Sequence, residues 1–463
     1  MQKALNFALW SATAMLGAAC TFGLWHAAAM IPLQVPLDPN EGWNAYHTIA
    51  AMQGGALYPA RGGGGMVNNY PPLSFYAVGL VTKIVGDPIV AGRMLSLLSL
   101  LFICGAILRI ARDMGAERAA GVFAALWFLG GLLAFTDYVA MDDPQLFGHA
   151  IDLAGLILLL RGRAGPAALA MTLALFVKHN LLALPLASLL WLALIDRRQA
   201  AHFALYGSVS GVVGLMLFRW TFGIGLLGAL ATPRIFSLAL LAQTTATWLI
   251  WCATAMAAAM ALLWTNRTDR NVVFGALYAL VAVTVAAAFS GGAGVDLNVW
   301  FDAAIALSLC AALALTRMTA PLQRALLLAA YLVPLLTGLV LAADESWRDP
   351  QFWLHPGRDD AQTARSDIAF LNSHRGPALC EMLSLCYWAG KPAEVDTFNL
   401  GQAFATGARS DRQLAARIAA GQFAVLQFDA LDDFALGPRV KAALLRRYRV
   451  HHQDDDGVLM LPR

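Results

Sequence analysis

Long apolar runs separated by short polar connections make up most of the chain. Runs near the length of about 20 residues that crosses a bilayer recur as far as residue 343. They lie at 5–31, 88–110, 119–138, 145–160, 165–177, 181–195, 202–220, 236–263, 271–290, 299–316 and 325–343. The fifth and sixth runs are short enough to form one broken hairpin. The pattern therefore predicts about eleven membrane-spanning helices.

The chain changes character after residue 343. The segment DESWRDPQFWLHPGRDD begins a region of ordinary polar composition, which contains one strand-like run, FAVLQF at 423–428. We therefore divide the chain into a membrane module, 1–343, which includes a first outer loop at 37–87, and a small soluble domain, 344–463. The expected fold class is a polytopic α-helical membrane protein with a small C-terminal α/β domain.

Composition and charge support a membrane protein and argue against nucleic-acid binding. The chain is 59% hydrophobic and 13% charged, whereas soluble domains typically contain about 25% charged residues. Its basic residues are distributed in small groups between the apolar runs, which is typical of membrane topology and not of a nucleic-acid surface. The first run is also longer than the apolar core of a signal peptide, about 7–15 residues, so we expect a retained helix.

Basic residues on alternate connections indicate the orientation, because short cytoplasmic loops are rich in Lys and Arg. With the N-terminus in the cytoplasm, the cytoplasmic connections carry Arg109, Arg112 and Arg118, Arg161 and Arg163, Arg197 and Arg198, Arg267 and Arg270, and Arg317 and Arg324. The other connections collect acidic, Asn and Gly residues. An odd number of helices then places the C-terminal domain outside the cytoplasm.

Two of the six cysteines differ in setting from the rest. Four lie inside apolar runs, where cysteine behaves as a small core residue. Cys380 and Cys386 fall in the polar C-terminal region at a spacing that a short disulfide loop can close, which fits an oxidising compartment. Two free thiols are the alternative.

The segment Asp38-Pro-Asn-Glu41 after the first helix gives the strongest chemical signal. Carboxylates near a bilayer boundary are costly unless they are solvated or used. Residues three apart share one side of a helical turn, and paired carboxylates suit a general base with a neighbouring metal or hydroxyl ligand. Alternatively, Asp38 caps the following amphipathic helix and Glu41 lies in its first turn. The residues alone favour neither interpretation.

Further acidic and polar groups occur on the same predicted side. Asp142 and Asp143 precede a proline after the third helix and could converge with Asp38 in an acceptor or metal site, although a helix-capping role for Asp143 is an equally ordinary explanation. Asn298 and Asp302 begin a late helix, where they suit hydroxyl recognition or an acceptor and metal site. Asp302 is the more unusual, since it lies inside an apolar run.

Basic residues on this side are candidates for binding a lipid phosphate. Lys178 and His179 interrupt an apolar hairpin at outer-leaflet depth, where a cation pairs with phosphate better than with hydrocarbon. A simple polar turn is the alternative. Arg93, Arg219 and Arg234 lie near outer helix ends and could join such a site or extend to lipid headgroups.

The order and sidedness of these motifs resemble the GT-C superfamily of polyprenyl-phosphate-dependent membrane glycosyltransferases, which includes protein O-mannosyltransferases and aminoarabinose transferases. The resemblance spans nearly the whole chain. It rests on Asp38 and Glu41 after the first helix, the loop ending YPPLSFY, GRMLSLLS in the second helix, DDP after the third, the Lys178 hairpin and GVDLNVWFD before the tenth.

The resemblance implies inverting transfer of a sugar from a polyprenyl phosphate to a glycan, lipid or protein acceptor outside the cytoplasm, in a bacterial inner membrane. Asp38 matches the superfamily's acidic base or metal ligand, with Glu41 as its neighbour. The basic residues would stabilise the departing phosphate, and Asn69, Tyr70 and Pro71 would lie in a loop contacting donor or acceptor. DPNEG replaces an adjacent Asp-Glu pair, which leaves the base unassigned. A divalent cation, Mg or Mn, stays open as a cofactor because only some relatives need one.

Three other functions are compatible with parts of this pattern. A lipid or lipid-linked glycan transporter would also have many helices, but would more often show paired halves and helices broken near the bilayer midplane. An O-antigen-ligase-like transferase would use a similar leaving group. A receptor or assembly subunit would work through its soluble tail, which shows no compact catalytic constellation. Polar residues collected at one membrane face favour an interfacial enzyme over a transporter, and the long acidic loop directly after the first helix favours a monosaccharide transferase.

Overall fold

The computed structural model describes residues 2–55, 57–58, 65–318, 320–341, 349–432, 434–454 and 457–463. The predicted boundary between membrane module and soluble domain, at 343 and 344, lies outside the described residues. Helices of the first part are α1 (Gln2–Met30), α2 (Pro39–Met52), α3 (Leu73–Val85), α4 (Pro88–Asp113), α5 (Arg118–Phe135), α6 (Gln145–Leu160), α7 (Ala164–Val177), α8 (Ala183–Ile195), α9 (Arg197–Phe222), α10 (Gly225–Leu230), α11 (Leu238–Thr265), α12 (Arg270–Phe289), α13 (Phe301–Arg317) and α14 (Pro321–Leu341), with a 3₁₀ turn at Leu297–Trp300.

Each predicted apolar run corresponds to a helix. Within the described residues, eight helices are long and apolar enough to cross a membrane: α1, α4, α5, α9, α11, α12, α13 and α14. The remaining three predicted spans are α6, α7 and α8, which have 16, 14 and 13 residues and fall below a full membrane crossing. The polytopic helical fold with a small α/β domain is confirmed.

The first outer loop folds into two helices, of which α2 is the amphipathic helix considered after Asp38. α3 was not predicted as a helix, although its sequence LSFYAVGLVTKIV is apolar throughout. It follows the two prolines of YPPL, which restrict the preceding backbone and suit the start of a helix. With α2, it folds the loop back onto α4 and makes it part of the packed structure.

The core of the bundle surrounds α13, in which every residue from Phe301 to Leu315 is buried. Helices at the periphery show the opposite pattern: α9 buries only Ala200 and Phe203 and exposes residues such as Met216, 66% exposed. Exposed apolar surface of this extent is costly in water and suits the hydrocarbon of a bilayer. The distribution of buried and exposed apolar residues is therefore that of a bundle in lipid.

The C-terminal region forms a separate four-stranded sheet with helices packed on it. Its elements are α15 (Pro350–Leu354), α16 (Arg358–Ser373), β1 (Ala378–Cys380), α17 (Leu383–Trp388), α18 (Thr397–Ala405), α19 (Arg412–Ala419), β2 (Val425–Phe428), α20 (Pro438–Arg447), β3 (Tyr448–Asp454) and β4 (Gly457–Pro462). The strand order is β1-β2-β4-β3, with β1 and β2 parallel and the other pairs antiparallel. The strand predicted at 423–428 is β2.

A disulfide joins Cys380 and Cys386, with an S–S distance of 2.07 Å. It closes a short loop that carries the start of α17 against α2. The backbone of Gly42 in α2 passes so close to this loop that a Cβ added there would lie 2.0 Å from the amide nitrogen of Ser384. Only glycine allows this approach, so the disulfide loop and α2 form one packed unit.

Candidate functional site

The segment DPNE starts α2 in the manner expected of a helix N-terminus. Asp38 has extended backbone angles, and its Oδ1 accepts a hydrogen bond from the Asn40 N–H at 2.7 Å. Pro39 occupies the first turn, where its missing N–H costs nothing. Asp38 is half-buried and Glu41 fully buried. The capping arrangement is therefore present, and it gives the two carboxylates different surroundings.

Glu41 forms a fully buried ion pair with Arg93 of α4. Arg93 donates from Nε to Oε1 at 2.7 Å and from its second terminal nitrogen to Oε2 at 2.5 Å. Its remaining donors reach backbone carbonyls at the end of α1, among them Leu33 at 2.9 Å and Val35 at 2.6 Å. The two-point geometry is that of a strong carboxylate clamp, and it ties α1, α2 and α4 together.

The turn between α5 and α6 brings the second acidic pair to the same place. Asp142 donates its backbone N–H to Glu41 Oε1 at 3.1 Å, and Asn44 donates its side-chain amide to the Asp142 carbonyl at 2.6 Å. The turn includes Ala140 with φ of +59°, an unusual backbone conformation for a residue with a side chain. Asp142 and Glu41, expected to converge from separate loops, are thus in direct contact.

Lys178 lies opposite Asp143 and forms the second buried ion pair. Its ammonium nitrogen donates to both carboxylate oxygens of Asp143, at 2.7 and 2.9 Å, and lies 4.9 Å from the centre of the Tyr70 ring. Asp143 is also oriented by the Gln145 N–H at 2.7 Å. Asn69 and Pro71, which flank Tyr70, are buried. The predicted hairpin, acidic turn and first loop therefore meet at one ionic cluster.

The surroundings set the protonation of these groups. Burial raises the pKa of Asp38 to about 6, in part offset by the Asn40 hydrogen bond, and the nearby Asp143 and Glu41 charges add to the rise. Burial opposes the charged form of Lys178, but Asp143 outweighs it, and the pKa of Lys178 is raised. Burial, Lys178 and Arg234 lower the pKa of His179 to about 4. At neutral pH the cluster contains a carboxylate at Asp38, an ammonium at Lys178 and a neutral imidazole.

The other predicted basic residues have distinct positions. Arg234 is close enough to lower the pKa of His179, and it donates to the Ala293 carbonyl at 2.7 Å and contacts the ring of Phe398 in the C-terminal domain. Arg219 is exposed in the last turn of α9. Arg93, as described above, is enclosed by Glu41 and backbone carbonyls.

A second group of polar residues continues from the cluster into the bundle. Asn298 donates weakly to Gln145 Oε1 at 3.5 Å, Gln145 Nε2 lies 2.9 Å from His149 Nε2, and Asp302 accepts from Tyr278. His149 Nδ1 is 3.9 Å from Asp302 Oδ1. Sequence reasoning identified Asn298 and Asp302 but missed the α6 partners.

Asp152, one turn deeper on α6, was also missed. It is fully buried, and neither carboxylate oxygen has a hydrogen-bond partner among the described residues. A charged residue inside an apolar helix is the signal that would have found it, because such residues are expensive in a membrane and usually functional.

The C-terminal domain covers the cluster from outside the bundle. Trp43 of α2 donates its indole N–H to the Val67 carbonyl and to Asp396 Oδ2, both at 3.0 Å. Asp396 caps α18 and is buried, and burial raises its pKa to about 6. The sequence offered no signal for this contact, because the two residues lie far apart along the chain.

No group of three or more His, Cys, Asp or Glu residues suited to a metal ion occurs among the residues that the structure describes. Carboxylates are the ligands that Mg²⁺ prefers. Here, however, Glu41 is bound by Arg93 and Asp143 by Lys178. The residues present therefore do not fit a divalent site of the usual kind.

The bundle, the buried ionic cluster at one end and the covering α/β domain define a polytopic membrane protein with an enclosed site at a membrane face. Its fold is that of ArnT from Cupriavidus metallidurans, for which crystal structures exist bound to undecaprenyl phosphate and in the apo state. In both comparisons the identity is 15%, the TM-score 0.62, and the match covers 96% of this chain and 97% of ArnT. The chain thus shares its overall fold with a solved membrane protein, as expected from the sequence. No protein-family model matches the sequence, and no curated protein is significantly similar to it.

Proposed function

We propose that this protein is a membrane glycosyltransferase that moves a sugar from a polyprenyl phosphate to an acceptor outside the cytoplasm, with inversion at the anomeric carbon. The observation that carries the proposal is a half-buried carboxylate, Asp38, within electrostatic reach of Asp143, which pairs with the buried cation Lys178 at one end of a GT-C bundle. A base and a phosphate-binding cation are the two groups that this transfer requires. The undecaprenyl phosphate bound by ArnT is the donor lipid we favour.

Asp38 is the better candidate for the base. Glu41 accepts from Arg93 at both oxygens and from the Leu37 and Asp142 backbone, so its lone pairs are occupied and its side chain is fully buried. Asp38 is half-buried, and a pKa of about 6 leaves it ionised at neutral pH yet basic enough to accept a proton. We therefore assign the base to Asp38 and a positioning role to Glu41 and Arg93.

Lys178 is the candidate for binding the donor phosphate. Its partner Asp143 balances its charge in the absence of substrate, and a phosphate approaching the ammonium would share it with that carboxylate. His179 and Arg234 lie beside Lys178 and would supply further donors. Arg93 has no free donor for this role, and nothing in the structure brings the exposed Arg219 to the cluster.

The proposed step involves one bond made and one broken at the anomeric carbon. The acceptor hydroxyl loses its proton to Asp38 as its oxygen bonds to the sugar. The bond between the sugar and the phosphate oxygen breaks, and its electron pair leaves on the lipid phosphate, whose charge Lys178 stabilises. No metal ion takes part in this step, consistent with the donors already occupied in the cluster.

Sugar transfer by purified full-length protein tests the proposal directly. Labelled polyprenyl-phosphate sugars would be offered with crude envelope glycans, lipids and proteins, with and without chelator. We expect wild-type transfer that resists chelation and falls by at least about 10²-fold in Asp38→Asn and Lys178→Ala. Asp113→Asn, an isosteric change at the opposite end of α4, should retain transfer. Failure of the wild type to release sugar from any donor that it binds would reject the transferase.

Lipid transport is a second candidate because of Asp152. An unpartnered carboxylate buried within a helix bundle, next to the polar group of His149 and Asp302, is typical of a path through the membrane. Transport would predict movement of labelled lipid across proteoliposomes without loss of its sugar. Asp152→Asn should then block movement, whereas in a transferase it should leave Asp38-dependent transfer largely intact.

A further inference from the structure

A small cavity lies behind the Asp142–Asp143 turn, between α2, α3, α4 and the start of α6. Its volume is about 10 Å³, which is the space of one water-sized sphere. Beside apolar residues such as Phe75 and Leu95, its wall includes five polar residues that are nine-tenths or more buried: Asn44, Thr48, Ser74, Ser96 and Asp142. The cavity thus brings polar side chains of three helices and of the acidic turn to one small space.

Asp142 brings to this cavity a carboxyl group that forms no ion pair with a side chain of the described residues. Its Oδ2 is buried and has no hydrogen-bond partner among the described residues. Arg93 directs its donors to Glu41 and to backbone carbonyls, and Lys178 donates to both oxygens of Asp143. A buried carboxylate without a partner is costly, by several kcal/mol when ionised. An ionised Asp142 therefore requires a cation in its immediate surroundings, because burial otherwise favours the protonated form by raising its pKa.

The hydroxyl groups of the wall present lone pairs to the cavity. Ser74 donates its proton to the Pro71 carbonyl and Ser96 to the Tyr138 carbonyl, both at 3.4 Å. Together with Asp142 Oδ2 and the unpartnered Thr48 Oγ1, the residues that line the cavity therefore carry four oxygens with unused lone pairs. A water molecule has two hydrogens and can satisfy only two acceptors, whereas a metal ion is coordinated by all of them.

We infer that this cavity is a binding site for one dehydrated monovalent cation of the size of sodium, with Asp142 as its charged ligand. One carboxylate matches a single positive charge, and hydroxyl and carboxylate oxygens are the ligands of hard cations. Gly92 makes room for this ligand, because a Cβ at that position would lie 1.8 Å from Asp142 Oδ1.

The proposed ion would fix the turn that presents Asp143 to Lys178. Asp142 is already tied to α2 through its backbone, by Glu41 on one side and Asn44 on the other. A cation joining its side chain to Thr48 of α2, Ser74 of α3 and Ser96 of α4 would complete the connection. This role concerns the architecture of the turn and holds whether or not the protein transfers sugar.

Thermal unfolding of full-length protein in detergent tests the site, with sodium, lithium, potassium or choline chloride at equal ionic strength. We expect sodium to raise the wild-type Tm over choline in a saturable manner, by about 1–2 °C at ten times the dissociation constant. Radioactive sodium should bind at one ion per chain. Asp142→Asn should abolish the sodium-specific shift, and Asp113→Asn, remote from the cavity, should keep it.

Two results would overturn the inference. Equal Tm values in sodium and choline, with no bound radioactive sodium, would mean that the cavity holds only water and that Asp142 is protonated. A sodium-specific shift that survives in Asp142→Asn would place the ion elsewhere. If Asp142→Asn does not fold, Thr48→Val and Ser96→Ala each remove one oxygen and should weaken the shift; its persistence in both would equally reject this site.

Discussion

Asp38 and Glu41 stand three residues apart on the same turn of α2, and their environments separate their roles. Glu41 is enclosed by Arg93, while Asp38 keeps partial access and is affected by the Asp143 and Glu41 charges. Neighbouring carboxylates in different surroundings commonly divide acid-base and structural work. The assignment of Asp38 as the base rests on this difference in surroundings between the two carboxylates.

Transfer should depend on pH through the ionisation of Asp38. Because the carboxylate is the active form of a base, and its pKa is raised to about 6, kcat/KM should rise with pH through about 6 and level off above it. A flat profile between about pH 5 and 8 would argue against Asp38 as the base.

Asp38→Asn should lose transfer without losing stability. A carboxyl whose pKa is higher in the folded than in the unfolded protein stabilises the fold most below about pH 4, and this contribution is lost as pH rises through about 6. Asparagine caps helices as well as aspartate does. At pH 7.5 the variant should therefore unfold at the same or a higher temperature; a clearly lower Tm would assign Asp38 a structural role.

Glu41→Gln should instead destabilise the protein strongly. Removing one member of a buried ion pair leaves Arg93 charged and uncompensated, at a cost of about 3–5 kcal/mol. Thermal unfolding of Glu41→Gln would be compared with Asp113→Asn, which breaks the exposed pair with Arg109 and should cost no more than about 1 kcal/mol. A Glu41→Gln variant that is stable but inactive would indicate that Glu41, and not Asp38, is the base.

At the scale of elements, α2 is held in place by contacts with several other parts of the protein. Arg93 of α4 holds its first turn, Asp142 of the α5–α6 turn bonds to Glu41, and the disulfide loop packs on Gly42. Trp43 links it to Asp396. An element fixed from several sides suits a site that must keep a base within reach of its substrate.

Gly42→Ala should move α2 away from the disulfide loop. The added Cβ would lie 2.0 Å from the backbone nitrogen of Ser384. Because this clash is with backbone, no side-chain rotation can relieve it. We therefore expect the free energy of unfolding to fall by about 1–3 kcal/mol and sugar transfer to decrease. Gly105→Ala is the matched control, because an added Cβ meets nothing within 4 Å there. It should be neutral or slightly stabilising. Equal Tm values for the two variants would show that the contact does not constrain α2.

At the scale of the whole molecule, the charge distribution gives the bundle two different ends. The end with Asp38 contains buried ion pairs, whereas the end with Arg109 contains more exposed ones, such as that between Arg317 and Asp269. The positive-inside rule predicts that the second end lies in the cytoplasm. The ionic cluster and the C-terminal domain would then face outwards.

Cysteine labelling tests this orientation. In a background with the four free cysteines replaced by alanine, Arg267→Cys and Ser410→Cys would each introduce one exposed thiol. A membrane-impermeant maleimide added to intact spheroplasts should label position 410 and not position 267 until the membrane is opened. The reverse pattern would invert the topology.

The sequence alone determined the secondary-structure elements that depend on short-range sequence patterns. A bilayer requires about 20 apolar residues per crossing, and the eleven apolar runs of the chain all became helices, three of them shorter than a full crossing. Asp38 and Glu41 were found as a pair, and β2 was expected, because capping residues and apolar strands are short-range signals. The helical α3 was missed, since a short apolar run does not reveal its secondary structure by periodicity.

Only the tertiary structure decided which groups meet. The pairs Glu41–Arg93 and Asp143–Lys178 join residues 52 and 35 positions apart, and Trp43 and Asp396 are separated by 353. Such pairings depend on how helices pack, and no repeat in the chain encodes them. In the packed structure Asp38 is half-buried, Glu41 is paired with Arg93, and Asp142 is buried beside a cavity. Residue type alone does not predict these differences, because burial and neighbouring charge are properties of the folded molecule.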